Sequence, residues 1–192
     1  YKRAEGWNEF AIVGYDFENG EIVEVQPNNQ IWYTSSDGNV VTPYKTNVFG
    51  ATITSNEYNN GMGIITFDGD VTMIGDYAFY NCDKFTSITL PECVTSIGQN
   101  AFYDCDGFTE FTIPDSVTTI GSSAFYDCDS LTSVNIPDSV TEIGWYAFEN
   151  CTSLTSVYCK ATTPPALGDN YVFDDNGSGR KIYVPAGSVN AY

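Results

Sequence analysis

A mainly β solenoid built of stacked repeats is the fold class this sequence predicts, and three observations predict it. From Val71 to Cys159 one pattern is written four times, as Val71…Cys82, Val94…Cys105, Val117…Cys128 and Val140…Cys151, with a step of 23 residues each time. Ile74, Ile97, Ile120 and Ile143 share one position, as do the glycines that follow them and the pairs Ala78-Phe79, Ala101-Phe102, Ala124-Phe125 and Ala147-Phe148. In Ser133-Val134-Asn135-Ile136 polar and apolar residues alternate, the period-2 sign of a strand with one wet face. So strict a period means a stacked array, because one unit cannot enclose its own apolar side chains. Each large one contributes roughly 1.5–3 kcal/mol, and only when a neighbouring coil covers it.

Taken in order, residues 1–20 carry Trp7, Phe10, Ile12, Val13, Tyr15 and Phe17, with a short helical turn expected over Ala4–Phe10. Glu21–Val25 alternates as a strand, and Pro27-Asn28-Asn29 turns the chain. From Gln30 to Tyr44, Ile31-Trp32-Tyr33-Thr34 and Val40-Val41-Thr42 flank Asp37-Gly38 and predict a β-hairpin that caps the first coil. Val48–Ile53 and Met62–Phe67 continue the β character; Ile65 and Phe67 fall 23 residues before Ile88 and Leu90, so the array is expected to start with a strand near Met62.

Each full unit has two extended parts. Leu131–Ile136 is a strand closed by Pro137, and Val140–Ile143 is a second short run. Gly144 is expected to permit a sharp bend into Trp145-Tyr146-Ala147-Phe148, which is too brief for more than a helical turn. The last unit is degenerate: Val172-Phe173 replaces Ala-Phe, Asn176 takes the cysteine position, and Ile182-Tyr183-Val184-Pro185 returns after 25 residues rather than 23. Asn at that position suits a slot facing the backbone of adjacent coils. The expected organisation is a β-rich N-terminal capping or linking segment over 1–61, the array over 62–159, and the last coil with its cap over 160–192.

Composition excludes more function than it assigns. Seven Lys and Arg stand against 25 Asp and Glu, a formal charge of -18 that repels phosphate backbones and anionic membranes, so no nucleic-acid partner and no direct membrane insertion are expected. No run of 18 apolar residues occurs, and the first residues lack the apolar core of a signal peptide. Four of the six cysteines (Cys82, Cys105, Cys128, Cys151) are one repeat position, expected to form a column of reduced, buried thiols; Cys93, where Ser116 and Ser139 stand in later units, is expected to be exposed.

The units running Leu131 to Cys151, and the end from Ala161-Thr-Thr-Pro-Pro165 through Ile182 to Tyr192, closely resemble the BspA-type leucine-rich repeat of bacterial surface and secreted proteins. The resemblance covers about residues 62–192. It implies a right-handed leucine-rich-repeat solenoid of about five 23-residue coils with parallel strands and short helical turns, an extracellular or cell-surface location, and a binding or adhesion role toward host protein or glycan; it transfers no catalytic residue. In such families the ending Val-Asn-Ala-Tyr is followed by a Lys-x-Ala-x-x-Trp-x-x-Phe pattern, and this chain opens with Tyr1-Lys2-Arg3-Ala4-Glu5-Gly6-Trp7-Asn8-Glu9-Phe10. Residues 1–17 are therefore expected to be the tail of a preceding module, with adjacent repeat modules of the same polypeptide as partners.

Without histidine, neither a Ser-His-Asp triad, a Cys-His pair nor a His-ligated metal is available, and no zinc or calcium motif is present. The chain is expected not to be an enzyme and to need no cofactor. Two carboxylates suffice for a glycosidase, but the acids recur at fixed repeat positions (Asp83, Asp106, Asp129; Asp104, Asp127; Asp115, Asp138), which points to local hydrogen bonding in turns. Function is expected where the copies disagree. Two surfaces compete: the outward strand face of Ser87 and Thr89, Glu110 and Thr112, Ser133 and Asn135, Ser156 and Tyr158, among which Glu110, Asn135 and Tyr158 differ most between copies, and an aromatic edge of Tyr80, Tyr103, Tyr126, Trp145 and Tyr146. A spacer with no ligand of its own is the alternative.

Overall fold

The computed structural model describes residues 26–192 and the backbone of two short antiparallel strands before them, β1 (Gly14–Asp16) and β2 (Glu21–Val23). The expected helical turn over Ala4–Phe10 lies outside the described residues, as does most of the segment assigned to a preceding module.

The two extended parts of each unit build two parallel sheets. The long parts give β7 (Phe85–Thr89), β9 (Glu110–Thr112), β11 (Ser133–Ile136), β13 (Ser156–Cys159) and β15 (Lys181–Tyr183). The last four pair in parallel, with Thr112, Asn135, Tyr158 and Tyr183 in one row across the sheet. The short parts, β6 (Met73–Ile74), β8 (Ser96–Ile97), β10 (Thr119–Ile120), β12 (Glu142–Ile143) and β14 (Ala166–Leu167), stack in sequence order as a five-stranded parallel sheet. The 25-residue return of the last unit is absorbed, since Ile182 pairs beside Val157 as Val157 pairs beside Val134.

Between the sheets the core is a set of columns. Phe79, Phe102, Phe125, Phe148 and Phe173 stack with centroids 5.0–5.4 Å apart and planes within 18° of parallel. The four repeat cysteines are buried and unpaired, and in the last three the thiol donates to the carbonyl of a Phe in the preceding coil: Cys105 to Phe79 at 3.0 Å, Cys128 to Phe102 at 3.1 Å and Cys151 to Phe125 at 3.0 Å. Asn176 fills the same slot, its Nδ2 donating to Phe148 O at 3.1 Å. Burial pushes the Cys82 thiol up to about 11 and Cys105 and Cys128 well above the usual thiol range, so these groups are protonated donors rather than nucleophiles.

Cys93 differs from its expectation. It is half-buried, with Sγ 3.1 Å from Val71 O, the bond that Ser116 makes to Val94 O and Ser139 to Val117 O. A small side chain with one donor serves at that position whether it carries oxygen or sulfur.

The repeat glycines also act differently from their expectation. Gly98, Gly121 and Gly144 have no positive φ. They donate to the isoleucine carbonyl of the preceding coil (Gly98 to Ile74 at 2.7 Å, Gly121 to Ile97 at 2.7 Å, Gly144 to Ile120 at 2.8 Å), and a Cβ on Gly121 would meet Gly98 C at 2.5 Å and Gln99 N at 2.6 Å. Glycine is required by close backbone approach, not by the bend. The left-handed residues are instead Tyr77, Asn100, Ser123 and Tyr146 in one column and Asn81, Asp104, Asp127, Asn150 and Asp175 in another. Asn and Asp tolerate that conformation, and it turns each amide toward the next coil, as in Asn81 N to Tyr103 O at 2.7 Å and Asp104 N to Tyr126 O at 2.9 Å.

The N-terminal end departs furthest from the sequence reading. β3 (Gln30–Ser35) forms, but Val40–Thr42 is not a strand, so the expected hairpin is absent. Instead β4 (Ile53–Asn59) and β5 (Met62–Phe67) form a hairpin about Asn60-Gly61, both at positive φ, and β3 inserts antiparallel between β5 and β7 in the order β4-β5-β3-β7. Met62–Phe67 is therefore a strand with the repeat's inward pattern, but not the strand beside β7. Capping is done by the irregular segment after β3: Val41 and Phe49 are buried, Phe49 packs 5.5 Å from Phe79, and Gly75 N donates to Val48 O at 2.7 Å where a preceding coil would stand.

Gly121→Ala is expected to lower stability by about 3 kcal/mol through overpacking. Gly187→Ala, at a site with nothing within 4 Å of the added carbon, is expected to stay within about 0.5 kcal/mol of the parent. Urea unfolding of the two variants measures both.

Candidate functional site

The sequence-predicted residues fall on separate parts of the surface. Glu110, Asn135 and Tyr158 lie on the outward face of the long-strand sheet. Tyr80, Tyr103 and Tyr126 lie on a flank, and Trp145 and Tyr146 in the turn after β12.

On the flank the tyrosines are half-buried and stack on one another, Tyr80 on Tyr103 at 4.9 Å and Tyr103 on Tyr126 at 5.0 Å, with planes 17° and 8° apart. Tyr44 and Tyr77 pack against Tyr80 at 5.4 and 5.7 Å, and Lys45 Nζ sits 4.6 Å from the centre of the Tyr77 ring. The stacking consumes both faces of Tyr103 and much of Tyr80, ring surface that a sugar or an apolar anchor would need, while Tyr126 has a ring on one side only. Tyr146 packs 5.9 Å from Tyr171, and the Trp145 indole fills the space beside the bare Cα of Gly168. The three flank tyrosines cover the coils beneath them, while Trp145 and Tyr146 remain exposed.

The acids nearby serve the stack. Asp129 N donates to Asp106 Oδ1 at 2.8 Å, Thr152 Oγ1 to Asp129 Oδ1 at 2.6 Å and Gln99 N to Asp76 Oδ1 at 2.8 Å, each across 23 residues. Of the recurring acids, Asp106, Asp129 and Asp127, the last from Asn150 Nδ2, accept hydrogen bonds between coils rather than within a turn, and the side chains of Asp83, Asp104 and Asp138 make none among the described residues. Asp104 is raised above the ordinary carboxylate range by burial first and then by Asp106, Asp127, Asp83 and Asp129; Glu149 is raised by burial and by Asp174, Asp169 and Asp175. Asp115 pairs instead with Lys160 at 3.3 Å. No cluster of His, Cys, Asp and Glu among the described residues has the geometry to hold a metal ion.

The strand face differs in two respects. Its outward side chains are Ser87 and Thr89, Glu110 and Thr112, Ser133 and Asn135, Ser156 and Tyr158, Lys181 and Tyr183, and on β3 Gln30, Trp32 and Thr34. Thr, Ser and Cys hydroxyls or thiols at other repeat positions bond neighbouring carbonyls, as Thr95 does to Thr72 O and Thr132 to Thr109 O. By contrast the side chains of Thr89, Glu110, Thr112, Ser133, Asn135 and Ser156 make no hydrogen bond to another described residue. Tyr158 stacks on Tyr183 at 4.8 Å with planes 13° apart, so one ring face is covered and the other fronts Asn135. In the neighbouring sheet Trp32 lies beside Thr89 in register, its Nε1 donating to Gln30 Oε1 at 2.8 Å, and Ile64 and Glu57 continue the row beyond it.

Sequence reasoning missed Trp32 and Tyr183 as parts of this face. The alternation of Gln30–Thr34 and the 25-residue step from Tyr158 to Tyr183 were the signals available. That β3 lies beside β7 had no sequence signal.

The profile of the BspA-type leucine-rich repeat region matches six copies over residues 52–187, and the chain belongs to that family. Among solved structures it is similar to a leucine-rich repeat protein from Bacteroides ovatus, 32% identical over 59% of this chain and 31% of that one, with a TM-score of 0.46. It is also similar to the T. pallidum leucine-rich repeat protein, 34% identical over 48% of this chain and 55% of that one at a TM-score of 0.37. A Bacteroides capillosus leucine-rich repeat protein is 21% identical over 84% and 98%, at 0.40. The chain thus spans less than a third of the B. ovatus structure. No curated protein matches.

The raised acids make a signed pH prediction. A carboxyl whose folded pKa lies above its unfolded value weakens the fold while ionised, and the penalty is lost as pH falls through the folded pKa. Asp104 and Glu149 therefore favour higher stability on mild acidification from neutrality, until ordinary carboxylates titrate. Asp104→Asn, which suits the left-handed backbone there, is expected to raise the neutral-pH melting temperature and shrink that gain. Thermal melts from pH 7 to pH 4.5 check it, and an unchanged profile in the variant would reject the assignment.

Proposed function

We propose that the chain is a non-catalytic binding module of a bacterial cell-surface or secreted protein, and that it presents its long-strand face to a host protein or glycan. The observation carrying this reading is the contrast between the two sides of one sheet. Inward residues repeat because packing dictates them; outward ones change from coil to coil (Glu110, Ser133, Ser156; Thr112, Asn135, Tyr158), and apart from the stacking of Tyr158 on Tyr183 their side chains have no partner among the described residues. Family membership supports a repeat-based interaction or structural module and a surface or secreted setting. The charge of -18 disfavours nucleic acid and anionic membrane as partners. Catalysis is not assigned, since Asp76, Asp106 and Asp129 are engaged between coils and no histidine is present to pair with a nucleophile. The likeness of residues 1–10 to the continuation of a repeat ending motivates adjacent modules of the same polypeptide as further partners.

The second reading is a structural spacer. Strict 23-residue regularity and evenly stacked phenylalanines are enough to build a stiff rod with no ligand.

Immobilised chain screened against extracellular-matrix proteins and a glycan array separates the two. Binding is expected, and Asn135→Arg, placed on the outward face, is expected to reduce it at least tenfold while Tyr103→Ser on the flank leaves it within twofold. Silence across both panels would favour the spacer.

A further inference from the structure

We propose that the strand face binds a neutral, extended oligosaccharide laid across the strands between Trp32 and Tyr158, a deepening that rests on the binding reading above. The row joins Trp32 and Thr89 of one sheet to Thr112, Asn135 and Tyr158 of the next, each part set by strand register; β7 and β9 do not pair but adjoin, with Phe85 and Phe108 stacked at 5.9 Å and Thr112 one repeat after Thr89. At about 4.8 Å per strand the two aromatic groups stand on the order of 20 Å apart. The three residues between them are short and polar, which leaves a shallow trough with an aromatic wall at each end.

Three features favour a sugar chain over a protein surface. A protein hot spot needs apolar or Arg anchors gathered at a desolvated centre, whereas here the centre is hydroxyl and amide and the aromatics stand at the ends. Thr89, Thr112 and Asn135, with Ser133 and Ser156 in the adjoining row, offer donors and acceptors not used within the described structure. Each can both donate and accept, as sugar hydroxyls do. The free face of Tyr158 and the Trp32 indole, pinned through Gln30, supply stacking surface for terminal rings.

Charge selects the class of sugar. The outward residues of β7, β9, β11, β13 and β15 include one acid, Glu110, and one base, Lys181, and exposed Glu57 of β4 follows Trp32 and Ile64 across the sheet, so the face is sparsely charged on a molecule of charge -18. The row from Trp32 to Tyr158 itself holds no charged side chain, which suits a neutral chain laid along it, while a uronate or sulfate polymer is repelled by the whole-molecule field. A β-linked hexopyranose chain advances about one strand spacing per ring, so roughly four rings bridge the walls.

The test titrates neutral β-linked glucan oligomers of about two to six rings into the whole chain by calorimetry. Affinity is expected to rise at least tenfold from two rings to four and then level off. Trp32→Ala and Tyr158→Ala are each expected to weaken the four-ring oligomer at least tenfold. Thr112→Arg, which fills the floor without touching the core, is expected to do the same in a protein whose melting curve is unchanged. Tyr103→Ala is expected to leave binding within twofold, and an oligouronate of equal length to bind at least tenfold more weakly. Length-independent binding, equal binding of the charged oligomer, or equal loss in Tyr103→Ala overturns the proposal. If no oligomer binds but a matrix protein does, sensitively to Thr112→Arg, the sugar assignment fails and the binding reading stands; if nothing binds, both fail.

Discussion

Everything in this molecule depends on how closely one coil's backbone approaches the next at the glycine column. The Gly N–H to Ile carbonyl bonds of 2.7–2.8 Å form because the Cα is bare; a Cβ there would sit 2.5–2.7 Å from backbone or side-chain atoms of the preceding coil. Once that separation is set, the rest of the circuit follows at the same pitch. Phenylalanine rings meet at about 5 Å, thiols reach the Phe carbonyls, and left-handed Asn and Asp residues aim their amides at the following coil. One contact, repeated, selects the residue type at many positions that never touch it. The acids belong to the same set, which explains why so negative a chain tolerates their columns: several carboxylates accept hydrogen bonds from the coil that follows.

The repeat was legible because packing between identical coils writes itself into sequence at a fixed period. The coil strands, the degenerate last unit and the Asn176 substitution could all be placed from the residues alone. Reading failed where one residue type serves two physical ends. Glycine after isoleucine reads equally as a bend or as a close approach, and only the backbone angles decide. The N-terminal end failed for another reason. Asn60-Gly61 is a strong hairpin signal that the repeat spacing of Met62–Phe67 obscured, and the insertion of β3 beside β7 is a long-range pairing with no local mark.

The candidate site was half legible. Looking for positions where the copies disagree found Glu110, Asn135 and Tyr158, because residues freed from packing are free to vary. The same criterion could not rank the tyrosine edge below the strand face, since sequence does not show whether aromatic rings spend their faces on each other. In the structure Tyr103 is stacked on both faces and Tyr80 is packed by Tyr44, Tyr77 and Tyr103, whereas Tyr158, like Tyr126 at the end of the flank stack, has a ring on one side only. Trp32 lay beyond reach because its place in the row depends on the β3 pairing.

The outward side chains of the strand face take no part in the glycine contact, the phenylalanine column or the thiol bonds. Surface chemistry and stability are therefore written in separate alphabets on the same strand. Mutation can revise the surface one residue at a time with almost no thermodynamic drag, and duplication of a coil would widen it by one strand while reusing every packing solution already in place. A lineage carrying this scaffold can change what it touches faster than it can lose its shape.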